Sequence, residues 1–366
     1  MRQVLTSFCA AFVVLLSGSL CLAQASRSLD AQASRSLDAQ ASEIATAETA
    51  APAEKSLTIY STRKEQLLEP LTKAYQEKTG TKINVVYDSE GPLLERLKRE
   101  GTESPADMLL VVDAGNLWRA ADLELLAPVK SKTLNRNVPA ELRDPRDRWF
   151  AVTRRVRAII YNPNKVKESE LSTYEDLASS KFKGKLCLRS STKVYNQSLV
   201  AMMIERLGKN ETSRIVKGWV NNLGANVFAD DTALIKAVET GPCQVGIVNS
   251  YYLGRELAAN PEAPVKIFWP NQKTSGAHVN VSGAGVTKSS KNKKEATEFI
   301  EWMTTADAQK ILSDMNMEYP VKPSLVKELN PILKGFGSFK GDSLNLSAAG
   351  KRQKEAVIIM DAAGYQ

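Results

Sequence analysis

One histidine, His278, is all the imidazole that this 366-residue chain carries. Metal sites built from several imidazoles are thereby excluded, and a Ser-His-Asp triad would have to use that single ring. Cysteine is scarce as well, with four in total, and two of them, Cys9 and Cys21, lie at the extreme N-terminus. No apolar run approaches the ~20 residues that a membrane-spanning helix needs. Positive charge is in excess but not clustered. The 49 Lys and Arg against 41 Asp and Glu give +8, spread over short runs. That pattern argues against a nucleic-acid partner and suits an acidic or oxyanionic small ligand.

What is present is ordinary globular material, 43% hydrophobic and 25% charged, long enough for about two domains. The first 25 residues read as a secretory signal. Arg2 precedes the apolar run FCAAFVVLL at Phe8 to Leu16, and Ala23-Gln24-Ala25 offers an A-x-A cleavage site. Export to a periplasm follows. Gly18-Ser19-Leu20 before Cys21 is a poor lipobox, so lipid anchoring is not expected. Residues 26–55 read as a disordered linker. AQASRSLD at Ala23 to Asp30 recurs unchanged at Ala31 to Asp38, and the stretch has too few large apolar residues to offset its ordering entropy.

Folded sequence starts at Ser56. Leu57 to Tyr60, Lys82 to Tyr87 and Asp107 to Val112 read as strands, separated by helical patterns at Glu65 to Thr79 and Leu93 to Arg99. The alternation resumes later. Val156 to Tyr161, Lys185 to Leu188, Asn226 to Phe228 and Gln244 to Val248 read as strands, with helices expected at Ser198 to Leu207, Thr232 to Glu239, Glu295 to Thr304 and Ala306 to Met315. This is an α/β pattern, and one sheet holding every strand would be unusually wide. Two α/β lobes with a ligand cleft between them fit better.

Three tyrosines stand out. Tyr195 follows the strand KLCL, and Tyr251-Tyr252 follow the strand QVGIVN, so each falls beyond a strand's carboxyl end, where α/β sheets bind ligands. Cys187 and Cys243 each lie eight residues before a tyrosine, Tyr195 and Tyr251. In an exported chain these cysteines favour a disulfide, and one joining neighbouring strands would bring the phenols to one rim. Surface packing is the plain alternative for the tyrosine pair. If the phenols converge, three phenolates would neutralise Fe³⁺, a hard trivalent cation, whereas softer divalent metals prefer imidazole or thiolate.

The chain also resembles the periplasmic ferric-ion-binding proteins of bacterial iron ABC importers. The matching segments include LTIYSTRKEQLLEPL from Leu57, SPADMLLVVDAGNL from Ser104, STYEDLASSKFKGKLCLRSS, VYNQSLVA, VGIVNSYYLGREL and HVNVSGAGVTKSSKNKKEATEFIEW, which ends at Trp302. The resemblance implies a two-lobed periplasmic binding protein fold with an interlobe cleft. The first lobe would comprise 56–155 and 276–325, and the second 156–275 and 326–366. It further implies a monomeric carrier of Fe³⁺ that delivers to an inner-membrane ABC permease and catalyses nothing.

By the same resemblance Tyr195, Tyr251 and Tyr252 are the iron ligands of the second lobe. The first lobe departs from the pattern. Many members place His-Tyr after the first arginine, whereas Lys64 and Glu65 follow Arg63 here. Glu65 is a candidate carboxylate ligand, and Asp113 lies one position from a glutamate that some members use. Open coordination positions imply a synergistic anion such as carbonate or citrate, held by the Arg63 fork and by Asn249. Arg154, Arg155 and Arg157 suit either structural salt bridges or cleft electrostatics. Tyr60 and Tyr161 suit strand-end packing, and His278 a hydrogen-bonded loop or core position. Two other readings stand beside this one. A binding protein for a polyamine, thiamine or an oxyanion would keep the fold. A hydrolase using Ser282 and His278 would lack a nucleophile elbow, because Val281 stands where the hydroxyl is needed.

Overall fold

The computed structural model describes residues 55–366. The expected leader at 1–25 and all but the last residue of the expected linker at 26–55 lie outside the described residues.

The first half alternates as its periodicity predicts. Strand β1 (Ser56–Ser61), helix α1 (Glu65–Thr79), strand β2 (Lys82–Tyr87), helix α2 (Glu90–Glu100) and strand β3 (Met108–Val112) follow in turn. Helix α1 stops at Gly80, whose left-handed φ of 70° lets its N–H turn back to the Gln76 carbonyl at 2.8 Å. Helices α3 (Ala114–Asp122) and α4 (Lys132–Asn137) lead to strand β4 (Phe150–Tyr161). The expected strand at Val156 to Tyr161 is only the second half of β4, because FAVTR continues it backwards through the arginines.

Beyond β4 come β5 (Leu186–Cys187), α5 (Val194–Leu207), α6 (Lys209–Asn221), α7 (Asp231–Thr240), β6 (Val245–Asn249), α8 (Ser250–Ala259) and β7 (Lys266–Phe268). Next are β8 (Val279–Val286), α9 (Lys293–Met303), α10 (Ala306–Asn316), β9 (Tyr319–Pro320), α11 (Pro331–Gly335) and α12 (Ser347–Ala362). The strand expected at Asn226 to Phe228 shrinks to one bridge between Phe228 and Arg189. The chain leaves the sheet there because Asp230 at once caps α7, accepting from the Ala233 N–H at 2.8 Å. His278 lies in the irregular link just before β8, buried and with its N–H donated to the Tyr174 hydroxyl, as a loop or core position was expected to be, and β8 itself is wholly buried.

The strands run in the order β2-β1-β3-β8-β4-β6-β5, with β7 and β9 also paired to β4. The path is continuous because β4 is shared. Its first half pairs antiparallel with β8, from Phe150 opposite Ala284 to Val156 opposite Val279. Its second half pairs with β6, from Arg157 opposite Asn249 to Tyr161 opposite Val245. Each half therefore belongs to a different sheet, and the division falls between Val156 and Arg157.

Separate cores form on these sheets. Leu57, Ile59, Leu109, Val281 and Phe299 belong to the first. In the second sheet the two-residue period of strands sorts the side chains. Ile159, Tyr161, Val245 and Ile247 face α5 and α6, while Ile160 and Val248 face α7 with Cys187 and Cys243. Helix α12 serves both, with Ala348 and Ala349 in the first core and Ile359 and Met360 in the second. Among the described residues no helix is long and apolar enough to cross a membrane.

The expected disulfide is present. Cys187 and Cys243 are bonded with Cα atoms 5.8 Å apart, and β5 pairs parallel with β6, so the bridge ties the two tyrosine-bearing segments together. Closing a loop with 56 residues of separation restricts the unfolded chain. Replacing both cysteines by serine should lower unfolding free energy by about 2–4 kcal/mol in urea titration. Equal midpoints for the two proteins would contradict this.

Candidate functional site

Helices α5 and α8 start on their tyrosines. Val194 opens α5 and Tyr195 is its second residue; Ser250 opens α8, with Tyr251 and Tyr252 next. The phenols thus sit in first helical turns, beyond the carboxyl ends of the strands as expected. Free N–H groups and the helix dipole make these termini favourable for negative charge.

The three rings converge. Tyr195, Tyr251 and Tyr252 line one cleft of about 670 Å³, and the rings of Tyr251 and Tyr252 lie 4.3 Å apart between centroids. Tyr195 and Tyr251 are largely buried, at 8% and 6% exposure. Burial pushes the Tyr251 phenol well above its ordinary pKa, and the neighbouring Tyr195 and Tyr252 add to the shift while Arg155 opposes it. Forming several phenolates together is costly here unless a strong cation compensates them.

Cations surround the phenols. The Arg155 guanidinium lies 5.4 Å from the Tyr195 ring centroid, Arg189 5.5 Å and the Lys193 ammonium 5.2 Å, while Arg255 stands 5.0 Å from that of Tyr251. Arg63, Lys64 and Lys236 complete seven cationic side chains, against the three carboxylates of Glu90, Asp230 and Glu318. Burial works against the charge of Arg155, yet Tyr195, Tyr251, Glu318 and Asp113 outweigh it and hold the guanidinium above its usual pKa.

Other expected residues separate into those at the cleft and those behind it. Arg63 lines the cleft, but both terminal nitrogens already donate to Glu318, at 3.1 and 3.4 Å. Glu65 is exposed and is not among the lining residues. Asp113 is fully buried at a strained φ of 79° and accepts from Ser198 Oγ at 2.7 Å, Asn280 Nδ2 at 2.6 Å and Gly115 N–H at 2.8 Å. It anchors the turn of α5 that follows Tyr195 and does not face the cleft. Asn249 is buried just below the tyrosine pair, outside the cleft lining, and its Nδ2 has no partner among the described residues.

The arginine cluster divides. Arg155 lines the cleft and also donates to the Val281 carbonyl at 2.6 Å, whereas Arg154 donates to the Pro320 carbonyl at 2.7 Å. Arg157 forms a buried ion pair with Asp231 at 2.8 Å and donates to Asn196 Oδ1 at 2.6 Å and the Ile247 carbonyl at 2.9 Å. Asp231 also accepts from the Asn249 N–H at 3.0 Å, which fixes the residue that precedes α8. Tyr60 and Tyr161 are buried and donate to Glu100 and Glu168, away from the cleft. His278 is buried with neither ring nitrogen hydrogen-bonded among the described residues, and burial lowers its pKa to about 4. Sequence reasoning missed Arg189, Lys193, Lys236, Arg255 and Glu318. Lys193 and Arg255 flank the tyrosine motifs and were within reach of it, but Glu318 had no local signal.

The bacterial extracellular solute-binding protein family matches residues 60–310. The chain belongs to that family. It is 39% identical to iron uptake protein A1 of Synechocystis over 100% of this chain and 98% of that relative. A solved Trichodesmium structure in complex with iron and citrate is 44% identical, with a TM-score of 0.81 over 85% of this chain and 100% of its own. A ferric binding protein from Campylobacter jejuni aligns with a TM-score of 0.77 at 39% identity, over 85% of this chain and 100% of its own. The fold is therefore the two-lobed one of solute-binding proteins, and the chain is a binding protein rather than a hydrolase. Ser282 agrees, since its hydroxyl accepts from Arg63 at 2.6 Å.

The support beneath this solute-binding cleft can be tested directly. Asp231→Ala strands the Arg157 guanidinium in the interior, and the variant should lose about 3–5 kcal/mol of unfolding free energy in urea titration. A loss below ~1 kcal/mol would show that Arg157 finds another partner.

Proposed function

We propose that this protein is the substrate-binding component of an ABC-type iron(III) importer. It captures Fe³⁺ between its lobes with the phenolates of Tyr195, Tyr251 and Tyr252 and with a synergistic anion, carbonate or citrate. The observation that carries the reading is the convergence of three phenols, carried on two helix N-termini, on one cleft. Phenolate is a hard donor, and Fe³⁺ supplies the positive charge that lets three of them form side by side. Among the described residues no group of three His, Cys, Asp or Glu side chains is placed to hold a metal.

The cationic surplus of the lining supports the anion. Three phenolates neutralise Fe³⁺ but leave the surrounding guanidinium and ammonium groups in excess, and a carbonate or citrate balances them. The same surplus disfavours a polyamine or thiamine, both of which are cations. The relatives' names, iron uptake protein and ferric binding protein, point the same way. In this reading the lobes comprise 56–155 with 276–325 and 156–275 with 326–366. The protein acts as a periplasmic monomer, without nucleic acid, and lobe closure desolvates the metal and presents both lobes to a membrane permease.

Charge transfer from phenolate to iron should colour the protein orange to purple after ferric citrate loading. Tyr195→Phe, Tyr251→Phe and Tyr252→Phe should each shift or bleach the band, while Tyr60→Phe and Tyr161→Phe should leave it unchanged. A colourless wild type would overturn the reading and favour an oxyanion as ligand. The pH dependence has a definite sign. Phenolate binding to Fe³⁺ releases the phenol's proton, so loading should acidify a weakly buffered solution and retention against a chelator should weaken as pH falls.

A further inference from the structure

An external anion was expected on the Arg63 fork, yet the protein has placed its own carboxylate there. Arg63 Nη2 donates to Glu318 Oε2 at 3.1 Å and Nη1 to Oε1 at 3.4 Å, while Nη1 also donates to Ser282 Oγ at 2.6 Å. The two side chains are 3% and 5% exposed, and both line the cleft.

The backbone explains how Glu318 reaches this position. Met317, at a left-handed φ of 54°, ends α10 and turns the chain into β9. Strand β9 sets Tyr319 opposite Arg154 on β4, so Glu318 is next in register to Arg155, another buried arginine of the cleft. The same turn closes on the tyrosine-bearing helix. Met317 packs so tightly on Gly254 that a Cβ there would meet its side chain at 3.2 Å, and Arg255 donates to the Asn316 carbonyl at 3.3 Å. Glu318 is therefore held between Arg63, Arg155 and the segment that abuts α8.

We propose that Glu318 is the cleft's resident carboxylate and that it sets the demand for an external anion by competing with that anion for Arg63. The proposal deepens the reading of the cleft as an anion-assisted iron site, and its chemistry can be observed without iron. A guanidinium fork accepts one carboxylate in bidentate fashion. Citrate can use the Arg63 fork only after Glu318 leaves it, and a displaced Glu318 loses its partner in a buried setting, which is costly. The internal pair thus lowers the affinity of Arg63 for any carboxylate from outside and acts as an element of selection against weak anions.

Calorimetric titration of citrate into metal-free, full-length protein tests this. Glu318→Gln keeps the side chain's shape but removes its charge, and it should bind citrate about tenfold more tightly than wild type. The double variant Arg63→Gln with Glu318→Gln should lose that gain. Glu318→Asp, which draws the carboxylate back by one methylene, should give a smaller gain and serves if the glutamine variant does not fold. Unchanged or weaker citrate binding in the folded variants, or a gain that survives loss of Arg63, would overturn the proposal. Ferric loading of the same preparations is read separately. A colourless wild type with the citrate gain intact removes the iron reading and leaves this role for Glu318. A coloured wild type without the gain removes this role alone.

Discussion

The buried ion pair between Arg157 and Asp231 holds the point on which the architecture turns. Arg157 is the first residue of β4 to pair with the second sheet, directly after Val156 has paired with the first. Its guanidinium reaches Asp231 at the start of α7, Asn196 next to Tyr195, and the carbonyl of Ile247. Asp231 in turn holds the Asn249 N–H below Tyr251. One pair of charges therefore connects the strand shared by both sheets to the first turns of both tyrosine-bearing helices. Such a pair contributes little net stability over an apolar replacement, but its geometry is exacting, and an unpaired partner is strongly penalised. It fixes the relative placement of α5 and α8.

Above that network the cleft accumulates charge of both kinds in a confined volume. Burial first, and then the neighbouring Tyr195 and Tyr252, hold the Tyr251 phenol above its ordinary pKa, so the phenols resist losing protons together. Guanidinium groups beside them resist being left without anions. In the proposed reading, a trivalent metal with a small carboxylate or carbonate would relieve both conditions at once. Glu318 partly relieves the second by itself, through Arg63. The preference proposed for the cleft would thus follow from what its own side chains lack as much as from what they offer.

Much of this was legible in the sequence. The apolar periodicities of 56–112 require β1 to β3 with α1 and α2 between them, because strand and helix bury their apolar faces with different spacings. The scarcity of histidine and cysteine removed most metal chemistries. The equal spacing of Cys187 to Tyr195 and Cys243 to Tyr251 anticipated a bridge beneath a shared rim, which the pairing of β5 with β6 bears out.

What the sequence could not decide depends on contacts between residues far apart in the chain. No local pattern marks β4 as a strand belonging to two sheets, since its arginines interrupt the apolar run and are tolerated only because Asp231 and distant carbonyls receive them. Arg63 looked free because its partner, Glu318, lies 255 residues away. Glu65 was a candidate carboxylate ligand and Asp113 lay one position off another, yet helix phase leaves the first exposed outside the cleft lining, and Ser198 and Asn280 occupy the second. The sequence by itself determined the kinds of donor available, because composition sets the chemistry. Only the tertiary structure decided which donors face the cleft, because burial and long-range pairing commit side chains that are equivalent on paper to different partners.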